Sequence, residues 1–277
     1  MKRKVKTKVK GFRTTDGAGV KLVRVLGNLT TKEFDPILML DSFDSINPDD
    51  YTAGFPMHPH RGIETISYVS RGKMVHRDSL GNEAGISDGE VQWMNSGSGI
   101  MHEEMVPAAE RLLGVQLWLN LPAKDKMSKP SYNSIKNEDI KEIEIEGGKI
   151  RLLAGKYGEH EGYKGDYLSM DYYDIHLNAD AEVTLTMEED DSVMVFTLLG
   201  DVYIDGEHIE EKTAVKLTEG DSLTIKNGNE KAQVLYMNSR ALNEPVAWAG
   251  PIVMNTQEEL QKAFLELRSN TFIKETA

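Results

Sequence analysis

No cysteine occurs in these 277 residues, and that one absence removes disulfides, thiolate zinc sites, iron–sulfur clusters and cysteine nucleophiles together. A metal held by this chain must be held by imidazole and oxygen. No apolar run approaches the roughly 20 residues that span a bilayer, and neither a G-x-G-x-x-G turn nor a P-loop precedes a helix. A cationic surplus is lacking too. The formal net charge is −13, and the first ten residues hold six of the 32 Lys and Arg, which leaves 26 basic against 45 acidic residues, or −19, for the remainder. Such a body repels phosphate backbones and argues against direct binding of duplex nucleic acid. The start from Met1 to Lys10 is basic like a signal peptide's n-region, but no apolar h-region follows. The expected location is cytoplasmic, away from membranes.

Short alternating runs dominate what is present: 19–26, 63–69, 90–94, 113–120, 143–153, 182–187, 193–199, 222–226 and 232–237. Gly81-Asn82, Asp88-Gly89, Asp205-Gly206 and Asn227-Gly228 punctuate them. This pattern predicts an all-β protein built of antiparallel barrels or sandwiches. The alternation of lysine with Val5, Thr7 and Val9 predicts an edge strand guarded by charge. One helix stands out, from about 256 to 268, where Thr256-Gln257-Glu258-Glu259 forms a capping box ahead of Leu260, Ala263, Phe264 and Leu267. The halves also look related. Gly72, Gly89 and Gly97 match Gly200, Gly220 and Gly228 at offsets of 128, 131 and 131, which predicts two homologous domains. The polar, proline-containing stretch from Pro122 to Asp139 suits a linker, so the expected domains are 1–133 and 134–277.

Two of the seven histidines sit two apart in Phe55-Pro56-Met57-His58-Pro59-His60-Arg61-Gly62-Ile63-Glu64. In extended chain, residues two apart share a sheet face, so His58 and His60 converge, and Glu64 has their parity. Met101-His102-Glu103-Glu104-Met105 repeats the spacing, with His102 and Glu104 on one face and Glu103 on the other. Three imidazoles and a carboxylate suit a divalent transition metal with positions left for water or substrate. Parity alone does not choose between Glu64 and Glu104. At the glycine offsets, His58 and His60 map to Thr186 and Glu188, and His102 and Glu104 to Gln233 and Leu235, so only the first half is expected to carry ligands. His76, His160, His176 and His208 do not fit the pattern and read as ordinary residues.

These motifs, with Gln92-Trp93-Met94, Gln116-Leu117-Trp118-Leu119-Asn120-Leu121-Pro122 and Gly250-Pro251-Ile252-Val253-Met254-Asn255-Thr256, resemble the pirin family of the cupin superfamily. The resemblance implies a bicupin of two antiparallel jelly-roll β-barrels with a C-terminal helix, metal-bearing in the first barrel only. It implies metal ligands His58, His60, His102 and Glu104, with Glu104 also catalytic and Glu64 in a supporting role. The implied cofactor is one divalent transition metal, Fe(II) first, with Mn, Co, Ni, Cu or Zn also fitting such donors. The implied activity is quercetin 2,3-dioxygenase-like: opening of a flavonol by dioxygen, with a small aromatic substrate against the metal. Phe55, Met57, Gln92, Met94 and Gln116 are candidate pocket residues. The alternative is a metal- or redox-sensing regulator that acts through a protein partner.

Overall fold

The computed structural model describes residues 1–275. They form two compact units, neither continuous in sequence. The histidine-bearing unit comprises 13–31, 37–136 and the chain from Leu242 onward; the second unit comprises 1–12, 32–36 and 137–241.

The histidine-bearing unit is built on two main antiparallel sheets, beside a two-stranded pair of Ala247–Ala249 with Ile252–Met254. The larger runs, in spatial order, Ser131–Ile135, Glu90–Asn95, Ile63–Arg71, Leu112–Asn120, Ile37–Ser45, Val20–Leu26 and Phe12–Asp16. The smaller runs Phe55–His60, Ile100–Met105, Lys73–Asp78 and Glu83–Ser87. Val20, Leu22, Phe43, Val69, Met74, Ile86 and Leu112 form a core cluster of this unit. The second unit has the same plan. Its larger sheet runs Val5–Lys10, Thr213–Leu217, Ser192–Leu199, Ala232–Ser239, Met170–Leu177, Gly148–Ala154 and Lys141–Ile145. Its smaller sheet runs Glu182–Thr186, Ser222–Asn227, Val202–Ile204 and Glu207–Ile209. The all-β class and the jelly-roll order stand, but the sheets keep free edges and are not closed barrels.

Matching the two strand orders confirms the repeat and corrects its register. Gly72 and Gly200 both follow the third strand of their larger sheets, Ile63–Arg71 and Ser192–Leu199, as expected. Gly220, however, lies between Thr213–Leu217 and Ser222–Asn227, which answers to the turn of Gly97 and Gly99 between Glu90–Asn95 and Ile100–Met105. The turn that answers to Gly89 holds Lys212, whose φ of 59° reproduces the left-handed conformation without glycine. Gly228 follows Ser222–Asn227 and has no glycine counterpart. The strand that answers to Ile100–Met105 is therefore Ser222–Asn227, not the one carrying Gln233 and Leu235. It reads Ser-Leu-Thr-Ile-Lys-Asn, so the absence of ligands in the second unit survives the correction.

Both ends of the chain differ from the 1–133 and 134–277 partition. Val5–Lys10 pairs antiparallel with Thr213–Leu217, because an open sheet edge accepts any strand that satisfies its N–H and C=O groups. It is the guarded edge strand the alternation foretold. Its lysines point outward, with Lys8 3.1 Å from Glu207 and Lys10 2.7 Å from Glu210. The helix Gln257–Arg268 is capped by Thr256 in a full capping box, and Leu260 and Ala263 pack with Ala247, Ile252, Met254 and Phe272 in the histidine-bearing unit. The polar stretch after Pro122 is more than a linker, since Ser131–Ile135 pairs with Glu90–Asn95. The run 143–153 breaks into Lys141–Ile145 and Gly148–Ala154, because Gly147 (φ 81°) turns the chain between them.

Candidate metal centre

Antiparallel pairing of Phe55–His60 with Ile100–Met105 sets His102 opposite His58 and Ile100 opposite His60. Side chains two apart share a face, so three imidazoles from two strands converge. Ring centroids lie 4.8 Å apart for His58 and His60, 4.3 Å for His58 and His102, and 5.0 Å for His60 and His102. One nitrogen from each ring falls within 4.8 Å of the other two.

The turn after His60 is held from several sides. Arg61, fully buried, donates to the Ser98 and Phe272 carbonyls and pairs with Glu266 at 2.8 Å. Gly62 has φ 79°, and a Cβ there would stand 1.9 Å from the Val253 carbonyl. Only glycine permits that approach. Lys126, also buried, donates to the Gly62 carbonyl at 2.7 Å and to Asn120 at 2.5 Å. Burial alone pushes its ammonium down to about 7, against weaker support from Glu244 and Glu259.

Hydrogen bonds fix the tautomers. His58 Nδ1 lies 2.8 Å from the Pro56 carbonyl, and His60 Nδ1 3.0 Å from the Pro251 carbonyl. A carbonyl can only accept, so each Nδ1 carries a proton and each Nε2 a lone pair. Those two Nε2 atoms lie 3.1 Å apart. Behind His102, His76 Nε2 is 2.9 Å from Asp78 Oδ2 and His76 Nδ1 is 3.3 Å from His102 Nδ1. The carboxylate makes His76 Nε2 a donor, so its Nδ1 accepts and His102 Nδ1 donates. His102 Nε2 is left buried without a hydrogen-bond partner. Burial, then the charge of His58, holds His60 down to about 3 against the Pro251 carbonyl. Burial, then the neighbouring imidazoles, holds His102 well below its ordinary value. Rings that aim lone pairs at one point repel one another unless a cation sits between them. The donor set therefore fits a divalent transition metal.

Glu104, buried and on the strand of His102, is not in the 4.8 Å group. Its Oε1 accepts from the amides of Gln92 and Gln116, and its Oε2 from Gln116 at 2.8 Å. Both amides also donate to Ser67 Oγ. Glu64 belongs to the other sheet, since the chain turns at Gly62 before Ile63–Arg71 begins, and parity with His58 and His60 does not carry across that turn. It accepts from the Trp93 indole at 3.0 Å. Of the other pocket candidates, Met94 is buried, Phe55 packs against the core and Met57 is exposed. Reading His76 as ordinary overlooked its partnership with His102. The signal was His76-x-Asp78, the same two-residue alternation that marks His58 and His60. Among the described residues no second cluster of three or more possible ligands occurs.

With this geometry in place, comparison with known proteins is specific. The family model Pirin matches residues 19–119, and Pirin C-terminal cupin domain matches 172–273. A pirin-like protein of Caulobacter vibrioides is 38% identical, covering 95% of this chain and 97% of its own. Human pirin is 35% identical, covering 96% and 93% respectively. A crystal structure of quercetin 2,3-dioxygenase from Acinetobacter baumannii superposes with a TM-score of 0.90 at 30% identity, covering 98% of this chain and 99% of that one.

Proposed function

This chain belongs to the pirin family, and from that membership we propose that it is a metal-dependent dioxygenase that opens a flavonol such as quercetin. The observation that carries the proposal is the convergence of His58, His60 and His102 with every Nδ1 committed elsewhere. That leaves three Nε2 lone pairs for one cation, with Glu104 as fourth ligand. Bound Fe(II) would supply a Lewis acid for a deprotonated hydroxyl and a path for electrons to dioxygen. Gln92 and Gln116 align the Glu104 carboxylate, which is suited to take the proton of the flavonol 3-hydroxyl. Burial disfavours the charged forms of His60 and His102, so protons do not compete for those two lone pairs near neutral pH. Both atoms of dioxygen enter the opened product, and one ring carbon leaves as carbon monoxide. The test is anaerobic addition of quercetin to the iron-loaded protein, followed by absorbance, and then admission of oxygen. A shifted flavonol band followed by oxygen uptake supports the proposal. Metal loading with neither change favours the regulatory alternative.

A further inference from the structure

Two side chains that touch neither substrate nor metal stand in a line behind the cluster. His76 and Asp78 are both fully buried, 2.9 Å apart. The His76 ring stacks on Tyr132, with centroids 4.1 Å apart and planes 13° from parallel. Asp78 is fixed in turn. Its Oδ1 accepts from the backbone N–H of Leu80 and Asn82, and its Oδ2 accepts from the Asn82 amide at 2.8 Å. A carboxylate that already accepts these bonds accepts from His76 as well, and a His76 ring that carries one proton then accepts from His102. The line has one polarity throughout.

We propose that His76 and Asp78 are positioning residues for the metal centre, a buried carboxylate–imidazole chain that fixes the His102 ring with Nε2 forward and strengthens it as a donor. The inference rests on the metal reading above. Metal-ligating histidines commonly give their other N–H to a carboxylate or carbonyl, and loss of such partners costs about 10- to 100-fold in metal affinity. His58 and His60 give theirs to neutral carbonyls, so His102 alone is backed by a full negative charge. A more basic donor favours the metal's more oxidised state. The chain should therefore lower the reduction potential of bound iron, and its removal should raise it.

The second unit supplies a control. Its Asp174 is buried and accepts from His176 at 2.8 Å, yet among the described residues no cluster of possible ligands stands in front of it. Asp78→Asn, His76→Phe and Asp174→Asn would be made in the full-length chain. His76→Phe keeps a ring for Tyr132 but removes both nitrogens, and so guards against a folding defect in Asp78→Asn. The measurements are Co(II) affinity by competition with a chromophoric chelator, the visible spectrum of the Co(II) form and the reduction potential of the iron form. Asp78→Asn and His76→Phe should bind Co(II) about 10- to 100-fold more weakly, with an altered spectrum and a raised iron potential. Asp174→Asn should match wild type on all three. Wild-type affinity and potential in both Asp78→Asn and His76→Phe would overturn the chain alone. Failure of wild type to take up metal would overturn the metal reading and the chain with it.

Discussion

Two buried carboxylates near the histidines have different partners. Both Glu104 oxygens face amide donors, so Glu104→Gln would turn an N–H₂ group toward N–H₂ groups and strand buried donors, at a cost of about 1–3 kcal/mol. We expect this variant to bind metal more weakly and to abolish flavonol cleavage. Glu64 accepts from Trp93, a bond that glutamine can also accept, so Glu64→Gln should keep the metal and at least part of the activity. Metal content and oxygen uptake with quercetin on both variants decide it, and loss of metal from Glu64→Gln alone would reverse the assignment. Lys126 offers a pH test. Its pKa falls from 10.5 in the unfolded chain to about 7 in the fold, so between those values the unfolded state binds the extra proton. Stability contributed by this group must rise with pH across that window, and the penalty for the buried ammonium is fully present below about 7. Denaturant titrations from pH 6 to 10 should show wild type gaining stability relative to Lys126→Met as pH rises. A flat difference would contradict the burial of a titrating amine.

Among the elements, most strands were legible, including Ile63–Arg71, Glu90–Asn95 and Leu112–Asn120, which are buried almost throughout, while Ile37–Ser45 and Met170–Leu177 were not. Val5–Lys10 alternates half-buried and exposed side chains along its length, and its edge position followed from the sequence. Ile37–Ser45 is buried on both faces for seven residues, so no period of two marks it, and Met170–Leu177 is nearly the same. The helix was legible because its cap is local: the Thr256 and Glu259 side chains bond each other's backbone N–H. Thr256→Ala should cost about 1 kcal/mol by thermal or denaturant unfolding without changing metal content. The histidine strand was legible through His58 and His60, but the turn beside it mattered more than sequence could show. Whether Glu64 faced the cluster depended on Gly62 sending the chain into another sheet, and a close approach to Val253 has no local signature. Gly62→Ala combines a disfavoured φ, worth about 1–2 kcal/mol, with a 1.9 Å clash against backbone. It should lower both the unfolding midpoint and metal occupancy; occupancy equal to wild type would show that the turn does not position His60.

For the whole molecule, duplication separates scaffold from chemistry. Each unit has the same seven- and four-strand orders, and the strands that answer to the two ligand-bearing ones read Glu-Val-Thr-Leu-Thr and Ser-Leu-Thr-Ile-Lys-Asn in the second unit. The repeat was visible in the glycines, but its register was not, because a left-handed turn can be made by Lys212 as well as by Gly89. The division into units was partly hidden for a related reason: a strand joins whichever open edge it satisfies, wherever it lies in sequence. One set of ligands in two copies of the fold predicts one metal per chain. The central claim is that His58, His60 and His102 hold that metal, and elemental analysis of wild type, His58→Ala and His102→Ala after identical loading tests it most directly. Wild type should carry about one equivalent of divalent transition metal and both variants almost none. Full occupancy in both variants would contradict the claim.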